Sequence, residues 1–74
     1  MPATIHVQLS TDGRQFLLKT PFHAQWKDEF KAMVPPRERT WDGERKVWGV
    51  TRDFYNIACE VTRRMFPGCD FRLS

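Results

Sequence analysis

Residues 51–66 read TRDFYNIACEVTRRMF, and this stretch decides the fold class. Its apolar side chains recur at positions i, i+3, i+4, i+7 and i+11, the period of an amphipathic helix. They are Phe54, Ile57, Ala58, Val61 and Met65. Thr51 is a suitable N-cap residue, and Pro67-Gly68 is a helix stop. The stretch therefore predicts a helix that buries one face.

The residues just before this helix predict a β-hairpin. Residues 39–41 and 46–50 are strand-like runs on either side of a loop that contains an Asp-Gly pair. A four-residue loop, 42–45, places Trp41 and Trp48 on one face of the sheet as diagonal neighbours. A five-residue loop places the two tryptophans on opposite faces, and the sequence leaves both registers open.

The N-terminal part of the chain predicts another hairpin. Apolar and polar residues alternate over residues 5–10, turn-forming residues occupy 11–14, and the alternation resumes over 16–19. Gly13 suits a turn position with positive φ. Two antiparallel strands are therefore expected before the first helix.

Residues 20–36 predict this first helix. Thr20-Pro21 is typical of an N-cap followed by a proline at the first helical position, and Pro35-Pro36 ends the helix because neither residue can donate to its hydrogen-bond ladder. Four large apolar residues lie between these signals at helical spacing. They are Phe22, Trp26, Phe30 and Met33, and they form one stripe that the helix is expected to turn toward the core.

The whole order, with a short last strand over residues 69–73, is ββαββαβ. Short connections then favour an α+β fold in which both helices pack on one face of a small antiparallel or mixed sheet. A chain of 74 residues is expected to form a single domain, 1–74. Its three Trp, one Tyr and six Phe supply the bulk that so small a core needs.

The net charge of +3 is mildly basic and is compatible with a nucleic-acid or an acidic partner without requiring one. Cys59 and Cys69 are too few for a disulfide framework, and no apolar run approaches the roughly 20 residues of a membrane helix. The residues before the first strand do not have the pattern of a signal peptide, so none is expected. We therefore expect a cytoplasmic protein without membrane association.

No motif indicates catalysis or a bound metal. The chain has no Gly-rich phosphate loop and no nucleophile elbow, and its Cys and His residues lack the paired spacing of zinc sites. His6 is expected on the outer face of its strand and His23 in the first turn of the first helix, neither with a catalytic partner. Cys59 is expected to be a small apolar residue of the second helix. We predict a non-enzymatic protein with no cofactor and no metal.

Basic and aromatic residues interleave between positions 37 and 52. Guanidinium groups bind phosphate bidentately, and an exposed indole can stack on an unpaired base. Acidic residues offset much of this charge, which is also typical of a solvated hairpin. Trp48 is expected in the core, whereas Trp41 suits the core and the surface equally. The candidate nucleic-acid-binding residues are Arg37, Arg39, Trp41, Arg45 and Lys46, with Lys31 and Arg52 at the flanks.

The run from Phe22 to Val50 resembles a HARP-type domain, most specifically in Trp41-Asp42 followed by Trp48. Such domains accompany the motors of annealing helicases and form the amino-terminal domain of UvsW-type phage helicases. The resemblance covers about residues 20–66, without a motor. It implies a small α+β module that binds branched or single-strand/double-strand junction DNA. The hairpin basic residues of that family correspond to Arg37, Arg39, Arg45 and Lys46.

Two partners follow as expectations. The first is nucleic acid, DNA rather than RNA, with a separate helicase or host protein as a possible companion. The alternative is a protein-interaction or regulatory module of phage or mobile-element type, anchored on a protein partner by apolar residues such as Tyr55 and Phe66. The sequence does not determine the oligomeric state.

Overall fold

Alternating apolar residues near the start of the chain form a β-hairpin in the computed structural model, which describes residues 3–73. Strand β1 spans Thr4–Leu9 and pairs antiparallel with β2, Gln15–Lys19. Gly13 has a φ of 72° in the connecting turn, a left-handed conformation that glycine adopts without steric cost. The first hairpin is confirmed. The ends of the predicted domain, residues 1, 2 and 74, lie outside the described range.

Helix α1 spans Ala24–Met33, so the predicted start at Thr20-Pro21 is wrong. His23 is the N-cap residue, and its Nδ1 accepts a hydrogen bond of 3.1 Å from the backbone N–H of Trp26. Because this side chain satisfies a free donor of the first turn, the helix starts after His23 and Thr20-Pro21 belongs to the connection from β2. The helix ends before Pro35-Pro36, as predicted.

The buried face of α1 is narrower than the predicted stripe. Trp26 and Phe30 are buried with their rings stacked, centroids 4.9 Å apart. Phe22 precedes the helix and is 91% exposed, and Met33 is also exposed, so placing these two residues in the core was wrong. Val34 is fully buried instead, because the backbone becomes extended there and returns toward the core.

The second hairpin joins β3, Arg39–Asp42, to β4, Val47–Thr51. A short 3-10 turn, Pro36–Glu38, connects α1 to β3, and another, Arg52–Phe54, follows β4. The hairpin is present as predicted, but β3 is one residue longer at its C-terminal end and β4 is shifted by one residue toward the C-terminus.

The register of this hairpin differs from both alternatives considered for the sequence. Trp41 lies directly opposite Trp48, with ring centroids 5.1 Å apart. The tryptophans share a face, as a four-residue loop requires, but they are direct rather than diagonal partners because the loop comprises residues 43–46 instead of 42–45. Lys46 closes this loop with a left-handed φ of 56°.

Helix α2 spans Tyr55–Met65, and Thr51 is not its N-cap as predicted. Thr51 precedes the 3-10 turn, and its hydroxyl donates a 2.6 Å hydrogen bond to the Glu38 carboxylate rather than capping a helix. The helix ends before Pro67-Gly68, where Gly68 has a φ of 75°. Strand β5, Asp70–Leu73, completes the predicted order.

The five strands form one sheet in the order β3-β4-β2-β1-β5. Strands β1 and β5 are parallel and the other neighbours are antiparallel, so the sheet is mixed. The predicted α+β class with ββαββαβ order is confirmed. Among residues 3–73, no helix has the length and apolar character needed to cross a membrane.

The core lies between the helices and one face of the sheet. The strand residues in it belong to the same face, as their pairing requires. The core cluster comprises Ile5, Val7, Leu18 and Val50 from the sheet and Trp26, Phe30, Val34, Ala58 and Val61 from the helical segments. Cys59 is buried beside this cluster, as expected for an apolar helix residue.

Candidate nucleic-acid interface

A row of three side chains crosses the sheet beside α1. Leu18 on β2 is paired with Trp48 on β4, and Trp48 is paired with Trp41 on β3. Directly paired residues project from the same face, so all three are on the helix side of the sheet. Leu18 is buried, Trp48 is half-buried and Trp41 is 51% exposed. The row therefore leads from the core to an accessible indole on an edge strand.

Aromatic contacts support this row. Phe30 in α1 packs against Trp48 with ring centroids 5.2 Å apart, and Trp48 in turn contacts Trp41. The ammonium of Lys31 lies 5.7 Å from the centroid of the Trp48 ring, within the range of a cation–π contact. Trp41 is thus held by packing against a fixed neighbour while part of its surface stays accessible.

A groove of about 640 Å³ lies between this row and α1. One face of α1 and its N-cap residue supply one side, with His23, Trp26, Lys27 and Lys31. Lys19 at the end of β2, residues 20–22 of the connection to α1, and the loop residue Lys46 also line the groove, together with the row itself. We call this feature the lysine groove.

The charge of the lysine groove is entirely positive. All four lysines of the chain line it: Lys19, Lys27, Lys31 and Lys46. Each of them is exposed, and none of the nine acidic residues contributes to the lining. Lys19 is paired with His6 and also lines the depression on the opposite face of the sheet, so it lies at the rim of the groove. The groove itself gathers the three positive charges of Lys27, Lys31 and Lys46.

His23 occupies a structural position at the end of this groove. Its Nδ1 accepts the backbone N–H of Trp26, which leaves Nε2 to carry the proton of the neutral ring. The same ring makes an edge-to-face contact with Phe66, centroids 5.2 Å apart. The histidine thus fixes the start of α1 and, with it, the position of the lysines on that helix.

The predicted binding residues divide between the lysine groove and other parts of the surface. Lys31, Trp41 and Lys46 line the groove. Arg39 does not, because its half-buried side chain donates hydrogen bonds to the backbone carbonyls of Val34 and Lys31, the latter at 3.1 Å. Arg39 therefore satisfies carbonyl groups at the end of α1.

The other three predicted arginines are exposed but lie at two separate places, Arg45 at one and Arg37 with Arg52 at the other. Arg45 lines a shallow depression on the opposite face of the sheet, together with the exposed His6. Arg37 precedes β3 and Arg52 follows β4, so both flank the end of the hairpin ladder that is remote from its loop. The fold does not gather the predicted hairpin basic residues onto one face.

Among the exposed residues that line the groove, Lys19, Phe22 and Lys27 were not predicted from the sequence as binding residues, whereas a phosphate contact was considered for His23. One signal was available, since His23, Lys27 and Lys31 follow one another at intervals of four and so share a helix face. The sequence around these three residues carries no signal that their helix face borders Trp41 and Trp48 of the second hairpin. That proximity depends on the sheet order.

The cysteines and their surroundings offer no comparable site. Both thiols are free. Burial raises the pKa of the Cys59 thiol, and burial with a hydrogen bond to Cys59 raises the pKa of Tyr55 to about 12, so both groups keep their protons at neutral pH. Within residues 3–73, no group of three or more His, Cys, Asp or Glu side chains is placed to hold a metal ion.

Comparisons with protein-family models, with curated proteins and with solved structures find no match to this chain. The resemblance to HARP-type domains stays a prediction.

Proposed function

We propose that the chain is a non-enzymatic nucleic-acid-binding module and that the lysine groove holds the nucleic acid. The observation that carries the proposal is the combination of four exposed lysines with two accessible aromatic rings, Phe22 and Trp41, in a groove without an acidic side chain. A nucleic acid presents anionic phosphates and aromatic bases in alternation. The groove offers a contact for each.

The arrangement of the lysines is unfavourable for the free protein. Lys27 and Lys31 are one helical turn apart, and like charges at this spacing destabilise a helix by about 0.2–0.5 kcal/mol. Lys19 and Lys46 add further positive charge to the same groove. A bound polyanion removes this repulsion, so the charge distribution favours binding of an anionic ligand in the groove.

The choice of lysine over arginine indicates the type of contact. An ammonium group is a compact charge on a flexible stem, whereas a guanidinium imposes a planar, bidentate geometry. None of the eight arginines lines the groove. Flexible point charges suit the sugar–phosphate backbone, so we expect affinity to depend little on base sequence.

The proposed ligand is DNA of structured, forked or partly single-stranded form, the class that the HARP resemblance implies. The nucleic-acid-binding role expected from the sequence is kept for Trp41, Lys31 and Lys46. The lining of the groove adds Lys19 and Lys27 to this set. The exposed Arg37, Arg45 and Arg52 are assigned to peripheral phosphate contacts. A separate helicase or host protein as companion and a cytoplasmic location belong to the same proposal.

The alternative of a protein-docking module finds less support in the geometry. Its expected anchors are half-buried, because Tyr55 stacks on Phe16 at 4.1 Å and Phe66 contacts His23. The accessible rings lie instead in the lysine groove, beside positive charge. A protein partner that binds at the groove would therefore have to present an acidic surface to the lysines.

Fluorescence anisotropy with labelled single-stranded, duplex and forked DNA, measured over a series of salt concentrations, tests the proposal. The affinity should fall linearly with salt on a log–log plot, with a slope of about −0.7 for each phosphate neutralised on a single strand. Lys27→Ala/Lys31→Ala should weaken binding and reduce the magnitude of the slope by about 1.4, since two such contacts are lost.

Arg14→Ala/Arg64→Ala is the matched control, because it removes the same charge from two exposed residues outside the groove. It should leave affinity and slope near the wild-type values. Equal losses in both double variants contradict the groove assignment, and absence of binding to all three DNA forms at low salt contradicts nucleic-acid binding. Tight binding to an acidic protein without binding to DNA supports the alternative.

A further inference from the structure

We infer that the lysine groove binds unpaired nucleotides, with Phe22 and Trp41 each stacking on one base, so that the module takes a short single-stranded tract in preference to a duplex. This inference rests on the proposed function, that the groove binds nucleic acid, and it names the form of nucleic acid and the residues that select it.

The exposure of Phe22 is the first observation. The side chain is 91% exposed in a chain whose core depends on aromatic residues. It lies between Pro21, with its fixed φ, and the helix-capping His23, so the backbone on either side is restrained. The backbone at Phe22 is therefore restrained beside the groove, and the exposed ring contributes almost nothing to the core.

Trp41 is the second platform. One side of its indole packs on Trp48, whose own ring contacts Phe30 and lies under the ammonium of Lys31. Trp48 is thus occupied on several sides, whereas half of the Trp41 surface is accessible. Among the groove tryptophans, Trp41 is the one with room for a base.

Stacking geometry separates unpaired from paired bases. In a duplex the faces of each base are covered by its neighbours, and only the edges and the backbone are open to a protein. A ring can stack on a base only when that base is unstacked, as in single strands and extruded nucleotides. The size of the groove agrees, because about 640 Å³ lies within the roughly 300–1,000 Å³ of pockets for small organic ligands.

The lysines complete the arrangement. Lys19 precedes the connection that carries Phe22, and Lys46 lies in the loop next to the strand that carries Trp41. Lys27 and Lys31 lie on the helix side of the groove. The groove therefore has cations on its helix side and beside the Trp41 strand for the phosphates of stacked nucleotides.

Two oligonucleotides of equal length and charge test the inference: an oligothymidylate and the same phosphodiester tract with abasic sugars. The wild-type protein should bind the oligothymidylate more tightly, by about 5- to 150-fold for each stacked base, the range for base–aromatic stacking. Phe22→Leu and Trp41→Leu should each reduce this preference and leave the affinity for the abasic tract unchanged.

Leu73→Ala is the matched control, since Leu73 is 75% exposed and lies outside the groove. Trp41→Phe guards against a change in packing, because it keeps an aromatic ring and should retain most of the preference. Equal affinity for the two tracts, or tighter binding of a duplex of the same length, overturns the inference while the proposed function stands. Absence of binding to every oligonucleotide overturns both.

Discussion

The indole Nε1 of Trp26 donates a 2.9 Å hydrogen bond to Oγ1 of Thr62, joining the two helices at a buried contact. The Thr62 hydroxyl donates in turn to the carbonyl of Ala58 at 2.7 Å. Trp26 also lines the lysine groove, so α2 fixes one wall of that groove from the core side. The position of this groove wall therefore depends on a buried hydrogen bond between the two helices.

Thr62→Val is expected to destabilise the protein by about 1–3 kcal/mol, because it leaves the buried Trp26 N–H without a partner. Chemical denaturation measures this difference. The same substitution made in a Trp26→Phe background should be less destabilising, because no indole N–H is then present. Equal losses in the two backgrounds would show that the hydrogen bond contributes nothing.

Arg39→Ala is expected to reduce the free energy of unfolding by about 1–2 kcal/mol, since the guanidinium donates to two carbonyl groups at the end of α1. Arg45→Ala, in the exposed loop, should change it by no more than about 0.5 kcal/mol. Thermal or chemical denaturation of the pair decides the matter, and the same stability for both variants would contradict a structural role for Arg39.

Lys46→Asn is expected to separate binding from stability. Lys46 has a φ of 56°, and asparagine tolerates this left-handed conformation better than lysine does. The variant should be at least as stable as the wild type, yet the magnitude of its salt slope for single-stranded DNA should fall by about 0.7. An unchanged slope in the folded variant would remove Lys46 from the proposed interface.

Substitutions of His23 are also expected to separate effects on stability from effects on DNA binding. His23→Ala should destabilise the protein by about 0.5–2 kcal/mol through loss of the N-cap, whereas Asn and Asp at this position accept the same hydrogen bond. His23→Asp also places a negative charge beside the groove lysines and should weaken DNA binding, while His23→Asn should not. Similar affinities for the two capping variants would contradict electrostatic binding at this groove.

Alkaline pH is expected to destabilise the protein through Tyr55. Burial and the hydrogen bond to Cys59 raise the pKa of Tyr55 from 10.0 to about 12, so above pH 10 the unfolded chain releases a proton that the native state retains. The stability contribution is full below pH 10 and is lost as the pH rises toward 12. Tyr55→Phe keeps the ring that stacks on Phe16 and should show a smaller loss of stability over pH 10–12 in denaturation experiments. Parallel pH profiles for the two proteins would contradict this assignment.

Most of the fold could be predicted from local patterns. The alternation over residues 5–10 and the helical spacing from Phe54 to Met65 each produced the expected element, because burial of one face imposes a fixed period. Element ends were less predictable. Thr20-Pro21 carried a strong start signal, but His23 supplied the capping hydrogen bond, and Thr51 bonded Glu38 instead of capping α2.

The candidate site was predictable only in part. Trp41, Lys31 and Lys46 were identified because basic and aromatic residues cluster along that stretch of sequence. Arg39 belonged to the same cluster, yet its guanidinium is used by the end of α1. Phe22 was expected in the core from its spacing alone, since a helical period does not reveal that the helix begins two residues later.

The sequence by itself determined the element types and their order, because hydrophobic period, turn residues and proline stops act within a few residues of one another. Only the tertiary structure decided which basic residues share a surface. Strand order places β4 between β3 and β2, so Leu18, Trp48 and Trp41 lie side by side and α1 brings its lysines beside them. Such contacts join residues distant in sequence, and they follow from the way the whole sheet buries its apolar face. The net charge of +3 does not reveal this arrangement, in which every lysine of the chain lines one groove.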